Sequence, residues 1–459
     1  MSFRTDPESI ERQMADLGTA HSGLLGELLE RTRGAIPEGY HNTLRDFVDI
    51  VVSAAAMMNQ HVDRFFSTLR RFLEDHVRIP RNEYTQQVRI LSPLRRQPAW
   101  SEVEVTWDNL SQFTGAIADA MTRLAQGLSE LAEFDIEEYD DLLAGVNSMA
   151  RQLTALHTKL SELVLEPDTN AIYWTEFQPD GSRISIHAAP LDVGPLIQEH
   201  LWNTKDAVIL TSATLRTDET FDYIRERLDA EDADQIVIDS PFDYKSSTLL
   251  YLVDDIPEPG EFDAYQREVE RGLLNLIRAT DGRVMVLFTS YAQLRRTVNS
   301  IGDALERDNI TIYDQSGGSS RSQLLEGFVE SRRAVLMGTR SFWEGVDVPG
   351  EDLSVLVIVR LPFSVPSDPL YAARSEMFDD PFQQYAIPET ILRFRQGFGR
   401  LIRRKSDFGV VAIFDRRILS KNYGRIFLNS LPECTVRQGP MKDLPEATVE
   451  WLAKFQNED

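Results

Sequence analysis

Apolar residues recur at helical spacing through the first third of the chain. A long helix-patterned stretch covers residues 48–73, and two shorter sets repeat the same spacing: Leu24, Leu25, Leu28 and Leu29, then Ile117, Met121, Leu124 and Leu128. Because side chains three and four positions apart share one face of a helix, these segments predict amphipathic helices that pack together. Prolines at 80, 93 and 98 interrupt the pattern and predict a loop-rich or partly extended interval.

The pattern changes near residue 170. Residues 171–177 and 183–187 alternate like two paired strands, with Asp180-Gly181 as a turn signal between them. Short apolar runs then predict strands at 207–210, 284–288, 311–313, 334–337, 354–359 and 410–414. Helix-patterned segments separate them at 291–305, 321–330 and 388–403. Strands that are apolar on both faces and alternate with helices predict a doubly wound parallel α/β sheet.

Composition narrows the classes of protein that remain. With 459 residues, 42% hydrophobic and 26% charged, the chain is long enough for two or three globular domains and is not a disordered or collagen-like protein. The single cysteine excludes an internal disulfide and an iron–sulfur cluster held by four cysteines of this chain, and it favours a cytoplasmic location. No apolar run approaches the roughly 20 residues that a membrane-spanning helix needs, and the first ten residues lack a signal-peptide core.

Charge is distributed unevenly. The net charge of −25 argues against a nucleic-acid partner, but residues 64–96 hold eight arginines against three acidic residues. Residues 393–425 hold ten basic residues against two acidic ones, whereas residues 102–141 hold eleven acidic residues against one arginine. The runs at 64–96 and 102–141 are interpreted as solvated helix faces, and the alternative for the basic run at 64–96 is a path for a nucleic-acid strand. Residues 393–425 indicate a local positive face within an acidic chain.

The strongest local motif is QGFGRLIR at residues 396–403. On one continuous helix Gln396, Arg400 and Arg403 share a face, and Arg393 extends the row by a turn. Two glycines in a helix cost about 1 kcal/mol each relative to alanine, which predicts a close approach of the backbone to another surface. A row of guanidinium groups suits a polyphosphate, and a solvated basic face is the alternative.

Three further motifs follow predicted strands. TSATL occupies residues 211–215, LFTSY occupies 287–291, and GTRSFWEGVDVPG occupies 338–350. Each has a purely structural interpretation, with hydroxyls as helix caps and the carboxylates as turn residues. Because ligands bind at the carboxyl ends of strands in open α/β sheets, three polar motifs at three predicted strand ends favour a ligand-binding edge.

The order of these four motifs resembles motifs III, IV, V and VI of the superfamily 2 helicases, in the DinG/XPD-like branch, over roughly residues 185–430. The resemblance implies a helical Arch-like domain at 1–168, the returning portion of the first motor domain with motif III at 169–240, and a second RecA-like motor domain at 241–459. It therefore implies an ATP-dependent DNA helicase.

The resemblance also implies roles for individual residues. Arg400 and Arg403 match the arginines that reach the γ-phosphate of ATP, with Arg403 as the arginine finger, and Gln396 matches the glutamine of the phosphate–water network. Other positions match the nucleotide side of motif V: Glu344, Gly345 and Asp347. A last set matches residues that contact single-stranded DNA or link its movement to hydrolysis: Thr211, Ser212, Thr214, Ser290, Tyr291 and Thr339.

Three family features do not occur in the sequence: the phosphate loop, the Asp-Glu-Ala-His box and the iron–sulfur cysteines. We therefore expect the chain to begin after motif II, with the phosphate loop, the Mg²⁺ ligands and any cluster in an N-terminal motor portion. On this expectation ATP and Mg²⁺ are the cofactors, single-stranded or forked DNA is the partner, and the chain alone is inactive.

Two other functions stay open. The chain is alternatively a non-catalytic DNA- or protein-binding module that completes another chain's motor. An unrelated nucleotide-binding α/β enzyme is the weaker third reading, because it requires a phosphate loop or a catalytic triad and the sequence shows neither.

Overall fold

A computed structural model of the chain describes residues 2–78, 85–178, 183–217, 220–343, 348 and 352–455. The proposed turn at Asp180-Gly181 lies outside these residues. The chain divides into two compact units. The first consists of Met1–Asp192 with Pro366–Arg374, and the second of Val193–Val365 with Ser375–Asp459.

Helices build most of the first unit, as the sequence predicted. They are α1 (Pro7–Leu17), α2 (Gly23–Thr32), α3 (Glu38–His76), α4 (Ser92–Arg95), α5 (Trp100–Glu130) and α6 (Tyr139–Val164). Helix α5 packs against both α3 and α6. Its residues Ile117, Met121, Leu124 and Leu128 are all buried, which confirms that their spacing marks the inward face of a helix.

A small antiparallel sheet completes the first unit. Its strands are β1 (Phe3–Thr5), β2 (Gln86–Arg89), β3 (Ala171–Phe177) and β4 (Ile184–Pro190), in the order β1-β4-β3-β2. The predicted pairing of β3 with β4 is confirmed, with Tyr173 opposite Ala188. Alternate residues face opposite sides: Tyr173 joins the helical core, whereas Trp174 packs in a smaller cluster with Ala373.

The second unit contains a parallel sheet of seven strands. They are β5 (Thr248–Val253), β6 (Val284–Leu287), β7 (Thr311–Asp314), β8 (Ala334–Gly338), β9 (Val355–Ile358), β10 (Gly409–Ile413) and β11 (Thr435–Gly439). All pairs are parallel and the order is β11-β5-β10-β9-β6-β8-β7. This is the predicted doubly wound, RecA-like α/β arrangement.

The remaining helices are mostly short, and those after β5 flank this sheet or connect its strands. They are α7 (Gly194–Ile197), α8 (Asp222–Arg227), α9 (Tyr244–Ser247), α10 (Phe262–Ala279), α11 (Tyr291–Arg307), α12 (Arg321–Glu330), α13 (Arg340–Trp343), α14 (Pro369–Ser375), α15 (Ile387–Phe398), α16 (Arg417–Ser420), α17 (Gly424–Asn429) and α18 (Leu444–Ala453). Helix α14 belongs to the first unit except for Ser375.

Both faces of the sheet are covered, which explains why its strands are apolar throughout. Helices α10, α11 and α18 bury one face, whereas α12, α13, α15 and α17 bury the other. Along β5, Leu249 and Tyr251 point into the first of these cores, and Leu250 and Leu252 point into the second.

The predicted strand at 207–210 does not form. Ile209 is 89% exposed and the segment runs without a strand assignment. A strand requires a neighbour that pairs with its backbone N–H and C=O groups, and no strand within the described ranges pairs with this segment. A second apolar segment is similarly open, with Ile236 and Ile238 exposed by 78% and 82%.

The boundaries of the compact units differ from the expected division at residues 169 and 240. Strands β3 and β4 belong to the first unit, and residues from Val193 onward belong to the second. The assignment of 169–240 to a first motor domain stays a prediction. No helix in the described part of the chain has the length and apolar character needed to cross a membrane.

Candidate functional site

The QGFGRLIR motif spans the end of a helix and the turn after it. Helix α15 ends at Phe398 with Gly399 as its C-cap, and the N–H of Arg400 donates to the carbonyl of Gly397 at 3.1 Å. The buried carboxylate of Asp407 accepts hydrogen bonds from the N–H groups of Arg403 and Arg404, both at 2.7 Å. The expectation of one continuous helix at 388–403, with its basic residues in a single row, is therefore wrong.

The expected close approach of a motif glycine is confirmed at Gly397. A Cβ atom there would lie 2.6 and 2.7 Å from two carbons of the Trp343 ring. That ring is held in place, because its Nε1 donates to the carbonyl of Phe288 at 3.0 Å. The carbonyl of Trp343 accepts from Nε of Arg400 at 3.0 Å, so this tryptophan connects β6, α13 and the basic turn.

Arg393 and Arg395 point to different partners. Arg393 pairs with Glu389 at 2.7 Å on its own helix and donates to the Ser364 hydroxyl at 2.6 Å. Arg395 instead donates to the carbonyls of Ala213, at 2.8 Å, and Arg216. Burial, together with the charge of Arg216, lowers the pKa of Arg395.

Arg395 is a residue that the sequence reasoning missed. It connects the helix that carries Gln396 to the segment that carries Thr211, Ser212 and Thr214. In that segment the hydroxyls of Ser212 and Thr214 lie 3.2 Å apart and are exposed. The pattern gave no signal for Arg395, because its partners are backbone carbonyls that only the fold brings near.

Tyr244 marks the neighbourhood of the predicted arginine finger. Its ring lies 5.9 Å from that of Phe398. Burial raises the pKa of Tyr244, whereas a hydrogen bond with Ser240 and the charges of Arg403 and Arg395 lower it. Tyr244 therefore lies against Phe398, the last residue of α15.

Three of the residues predicted to contact single-stranded DNA follow the carboxyl ends of β6 and β8. The Ser290 hydroxyl caps α11 by accepting from the N–H of Gln293 at 3.4 Å. Tyr291 is 41% exposed and its hydroxyl donates to the main-chain carbonyl of Gln315. The side-chain carbonyl of Gln315 accepts from the N–H of Thr339 at 2.7 Å and from its hydroxyl at 2.9 Å.

The structure thus brings Tyr291 and Thr339 together through Gln315, which follows the end of β7. The sequence reasoning did not select Gln315, although its position after a predicted strand was a usable signal. The three residues predicted for the nucleotide side of motif V, Glu344, Gly345 and Asp347, lie outside the described residues.

Several arginines of the basic run at 64–96 already have protein partners. Arg70 pairs with Glu74 at 2.8 Å, and Arg71 pairs with Glu102 at 2.7 Å. Arg95 donates to the carbonyl of Leu163 at 2.8 Å. These contacts account for part of the run as protein structure. Within the described ranges, His, Cys, Asp and Glu side chains form no group suited to a metal ion.

Comparison with known proteins finds a helicase domain within the second unit. Residues 273–434 match the model of the helicase C-terminal domain. A Bacillus subtilis protein named 3'-5' exonuclease DinG is 31% identical over 83% of this chain and 42% of its own length. The Haemophilus influenzae ATP-dependent DNA helicase YoaA is 37% identical over 62% of this chain and 44% of its own length.

Further similarities are narrower. The Mycobacterium tuberculosis ATP-dependent helicase DinG (strain H37Rv) is 33% identical over 58% of this chain and 41% of that protein. Among solved structures, Saccharomyces cerevisiae Dbp5 bound to RNA and ADP BeF3 covers 57% of this chain and 58% of its own, at 18% identity and a TM-score of 0.37.

The chain spans less than half the length of the curated relatives named above. The family match covers β6 through β10 together with the motif at the end of α15. By this match residues 273–434 are a helicase C-terminal domain, and the chain is similar to part of the DinG and YoaA helicases.

Proposed function

We propose that this chain supplies the second motor domain and the arginine finger of an ATP-dependent DNA helicase that translocates on single-stranded DNA and unwinds duplexes. One observation carries the proposal. The basic turn after α15, and the hydroxyl and aromatic groups that follow β6 and β8, all belong to the unit that contains the helicase C-terminal domain.

The residues around the basic turn fit a triphosphate. Arg400 and Arg403 are partly exposed guanidinium groups that follow a helix end, and guanidinium binds phosphate oxygens bidentately. Trp343 accepts from Nε of Arg400, and Asp407 fixes the backbone of Arg403. Nε of Arg400 and the backbone of Arg403 are thus held in place before a ligand arrives, which lowers the cost of stabilising charge on a phosphoryl group.

In this proposal Arg403 is the arginine finger, Arg400 binds the same phosphate, and Gln396 orders the water beside it. ATP supplies the bond whose hydrolysis drives translocation. We place the phosphate loop and the Mg²⁺ ligands in an N-terminal motor portion, present in cis or in trans. An iron–sulfur cluster, if the full motor holds one, belongs to that portion too.

The two open apolar segments support such a partner. In the first segment Ile209 and Leu210 are 89% and 47% exposed to solvent. In the second, Val237 is 53% exposed and lies between the exposed residues Ile236 and Ile238. Neighbouring large apolar residues at such exposure are a typical mark of an interaction surface. Segments with strand-like composition and unpaired backbone favour addition to another sheet, and the first motor domain would provide that sheet.

Single-stranded DNA is the proposed nucleic-acid partner. Hydroxyl groups and an exposed aromatic ring contact a strand without reading its sequence, and Ser290, Tyr291 and Thr339 provide them. Thr211, Ser212 and Thr214 are proposed to link strand movement to hydrolysis, because Arg395 connects their segment to the motif helix.

The test adds the product of the reading frame immediately upstream to this chain and measures ATP turnover with and without oligo(dT). We expect DNA-stimulated turnover only from the mixture. Arg403→Ala should abolish turnover with ATP binding largely kept, and the exposed neighbour Arg404→Ala serves as the matched control.

Other results discriminate between the functions. Robust DNA-stimulated turnover by this chain alone would contradict the division of the motor. Turnover by the mixture that survives Arg403→Ala would remove the finger assignment. DNA binding with no turnover under any condition would favour the non-catalytic module instead.

A further inference from the structure

We propose that the side chain of Gln315 is a displaceable substitute for a backbone phosphate of the DNA strand. In this inference, which rests on the proposed binding of single-stranded DNA, the strand's phosphate oxygen replaces the Gln315 carbonyl on Thr339. Before DNA binds, Gln315 occupies the donors of Thr339 and so competes with the strand. Removal of its side chain therefore increases the affinity for single-stranded DNA.

The donors of Thr339 form a small cradle. Its N–H and its hydroxyl both donate to the same oxygen, Oε1 of Gln315, at 2.7 and 2.9 Å. A hydroxyl and an adjacent main-chain N–H that converge on one oxygen are the groups that bind a phosphate oxygen. A phosphate oxygen is negatively charged and accepts stronger hydrogen bonds than a neutral amide carbonyl does.

The same geometry excludes simultaneous binding. Thr339 has one N–H and one hydroxyl proton, and Gln315 uses both. A phosphate bound by Thr339 as acceptor must therefore take the place of the Gln315 oxygen. If Gln315 instead stayed bound to Thr339 while DNA was present, Thr339 would have no proton left to donate to the DNA strand.

Gln315 is able to leave this position. It is only partly buried, and the second contact of its amide, from Nε2 to the hydroxyl of Ser341 at 2.6 Å, ends on an exposed residue. Water can replace that contact at little cost. The bond from the Tyr291 hydroxyl goes to the main-chain carbonyl of Gln315, so it survives when the side chain moves or is removed.

The surroundings favour a strand at this place. Tyr291 presents a 41% exposed ring beside the cradle, which suits stacking with a base. Arg321 donates to the carbonyl of Ser341 at 3.3 Å, which brings a guanidinium group close to the same loop. The nearest carboxylate along the chain, Asp314, is engaged with the N–H and hydroxyl of Ser316.

The test measures the affinity of this chain for a fluorescein-labelled oligo(dT) by anisotropy at one fixed salt concentration. We expect Gln315→Ala and the nearly isosteric Gln315→Leu to bind about threefold to tenfold more tightly than the wild type. Gln315→Glu should bind more weakly, because a carboxylate holds the Thr339 donors more strongly and repels phosphate. Ser319→Glu, an exposed neighbour, controls for the added charge.

A double-mutant cycle locates the effect. In a Thr339→Val background, where the hydroxyl donor is gone and only the N–H remains, the gain from Gln315→Ala should be smaller. Far-UV circular dichroism checks that each variant is folded. Because two substitutions remove the carbonyl in different ways, a folding defect in one of them leaves the other as a test.

The outcomes separate the two proposals. If the wild-type chain binds oligo(dT) but folded Gln315→Ala and Gln315→Leu bind equally or more weakly, the displacement inference is wrong and the proposed function stands. If the folded wild-type chain shows no binding, the proposed DNA contact is wrong and the inference falls with it. An equal gain with and without the Thr339 hydroxyl would also overturn the inference.

Discussion

Gly397 and Gly399 lie two positions apart at the end of α15, yet the structure predicts opposite responses to the same substitution. A Cβ at Gly397 would lie 2.6 Å from the Trp343 ring, about 0.8 Å closer than the 3.4 Å at which ordinary contact begins. A Cβ at Gly399 would lie 3.3 Å from the carbonyl of Arg395 and otherwise meets nothing closer than 3.8 Å. We expect Gly397→Ala to destabilise the second unit and Gly399→Ala to be nearly neutral.

The magnitude follows from how firmly Trp343 is held. Its ring is 3% exposed and its Nε1 donates to the Phe288 carbonyl at 3.0 Å, so it cannot move aside without breaking that bond or displacing its neighbours. Overpacking of this kind costs about 1–3 kcal/mol, whereas alanine in a helix regains about 1 kcal/mol over glycine. Because the Trp343 ring is held firmly, we expect the upper part of this range, so the free energy of unfolding should fall by up to about 2 kcal/mol for Gly397→Ala.

The control substitution isolates this steric cause. Gly399 has φ −67° and ψ 1°, a conformation that alanine adopts without strain. Its replacement by alanine should change the free energy of unfolding by less than about 0.5 kcal/mol. Replacing Trp343 by leucine removes the crowded ring, so the loss caused by Gly397→Ala should be smaller in a Trp343→Leu background.

Hydrogen–deuterium exchange suits the measurement, because the chain has two compact units that need not unfold together. Peptides that cover β6 and β8 report on the sheet beside Trp343, and peptides from α5 report on the other unit. Gly397→Ala should accelerate exchange only in the first set. Unchanged exchange in that set, or an equal acceleration by Gly399→Ala, would refute the packing argument.

Two further stability predictions rest on carboxylates. Asp415 is fully buried and accepts hydrogen bonds from the N–H of Leu361 at 2.9 Å and from the Arg417 guanidinium at 2.6 Å. Asp415→Ala should therefore lower the free energy of unfolding, measured by urea titration, by about 3–5 kcal/mol. A loss under about 1 kcal/mol would contradict this. A hydrogen bond with His187 lowers the pKa of Glu176 from 4.5 to about 2, against the effect of burial. The ionised carboxylate therefore stabilises the fold above its unfolded-state pKa, and this contribution is lost as pH falls towards 2. Glu176→Gln should lower the free energy of unfolding at neutral pH and lower it progressively less in acid. A loss that does not change with pH would contradict this prediction.

Much of the sheet was predictable from the sequence because burial on both faces leaves a clear signal. Every strand from β6 to β10 coincides with an apolar run that was identified in advance. The close approach at Gly397 was also predictable, since a glycine inside a helix requires a reason and tight packing is the usual one. These features depend on residues close together in the chain.

The failures depend on contacts between distant residues. The sequence around Leu401 predicts that the helix continues, but α15 ends at Phe398. The reason is a contact further along the chain, because the Asp407 carboxylate binds two N–H groups of the turn. Arg395 and Gln315 escaped notice because their partners are carbonyls and donors on other elements. Ile209 has the composition of a strand, but composition does not provide the neighbour that a strand requires.

We propose that this chain completes a motor in which ATP hydrolysis depends on Arg403. The most direct measurement compares oligo(dT)-stimulated ATP turnover by wild-type chain and by Arg403→Ala, each mixed with the product of the upstream reading frame. We expect turnover by the wild-type mixture, none above background by the Arg403→Ala mixture, and none by either chain alone. Equal turnover by the two mixtures, or DNA-stimulated turnover by the isolated chain, would contradict this proposal.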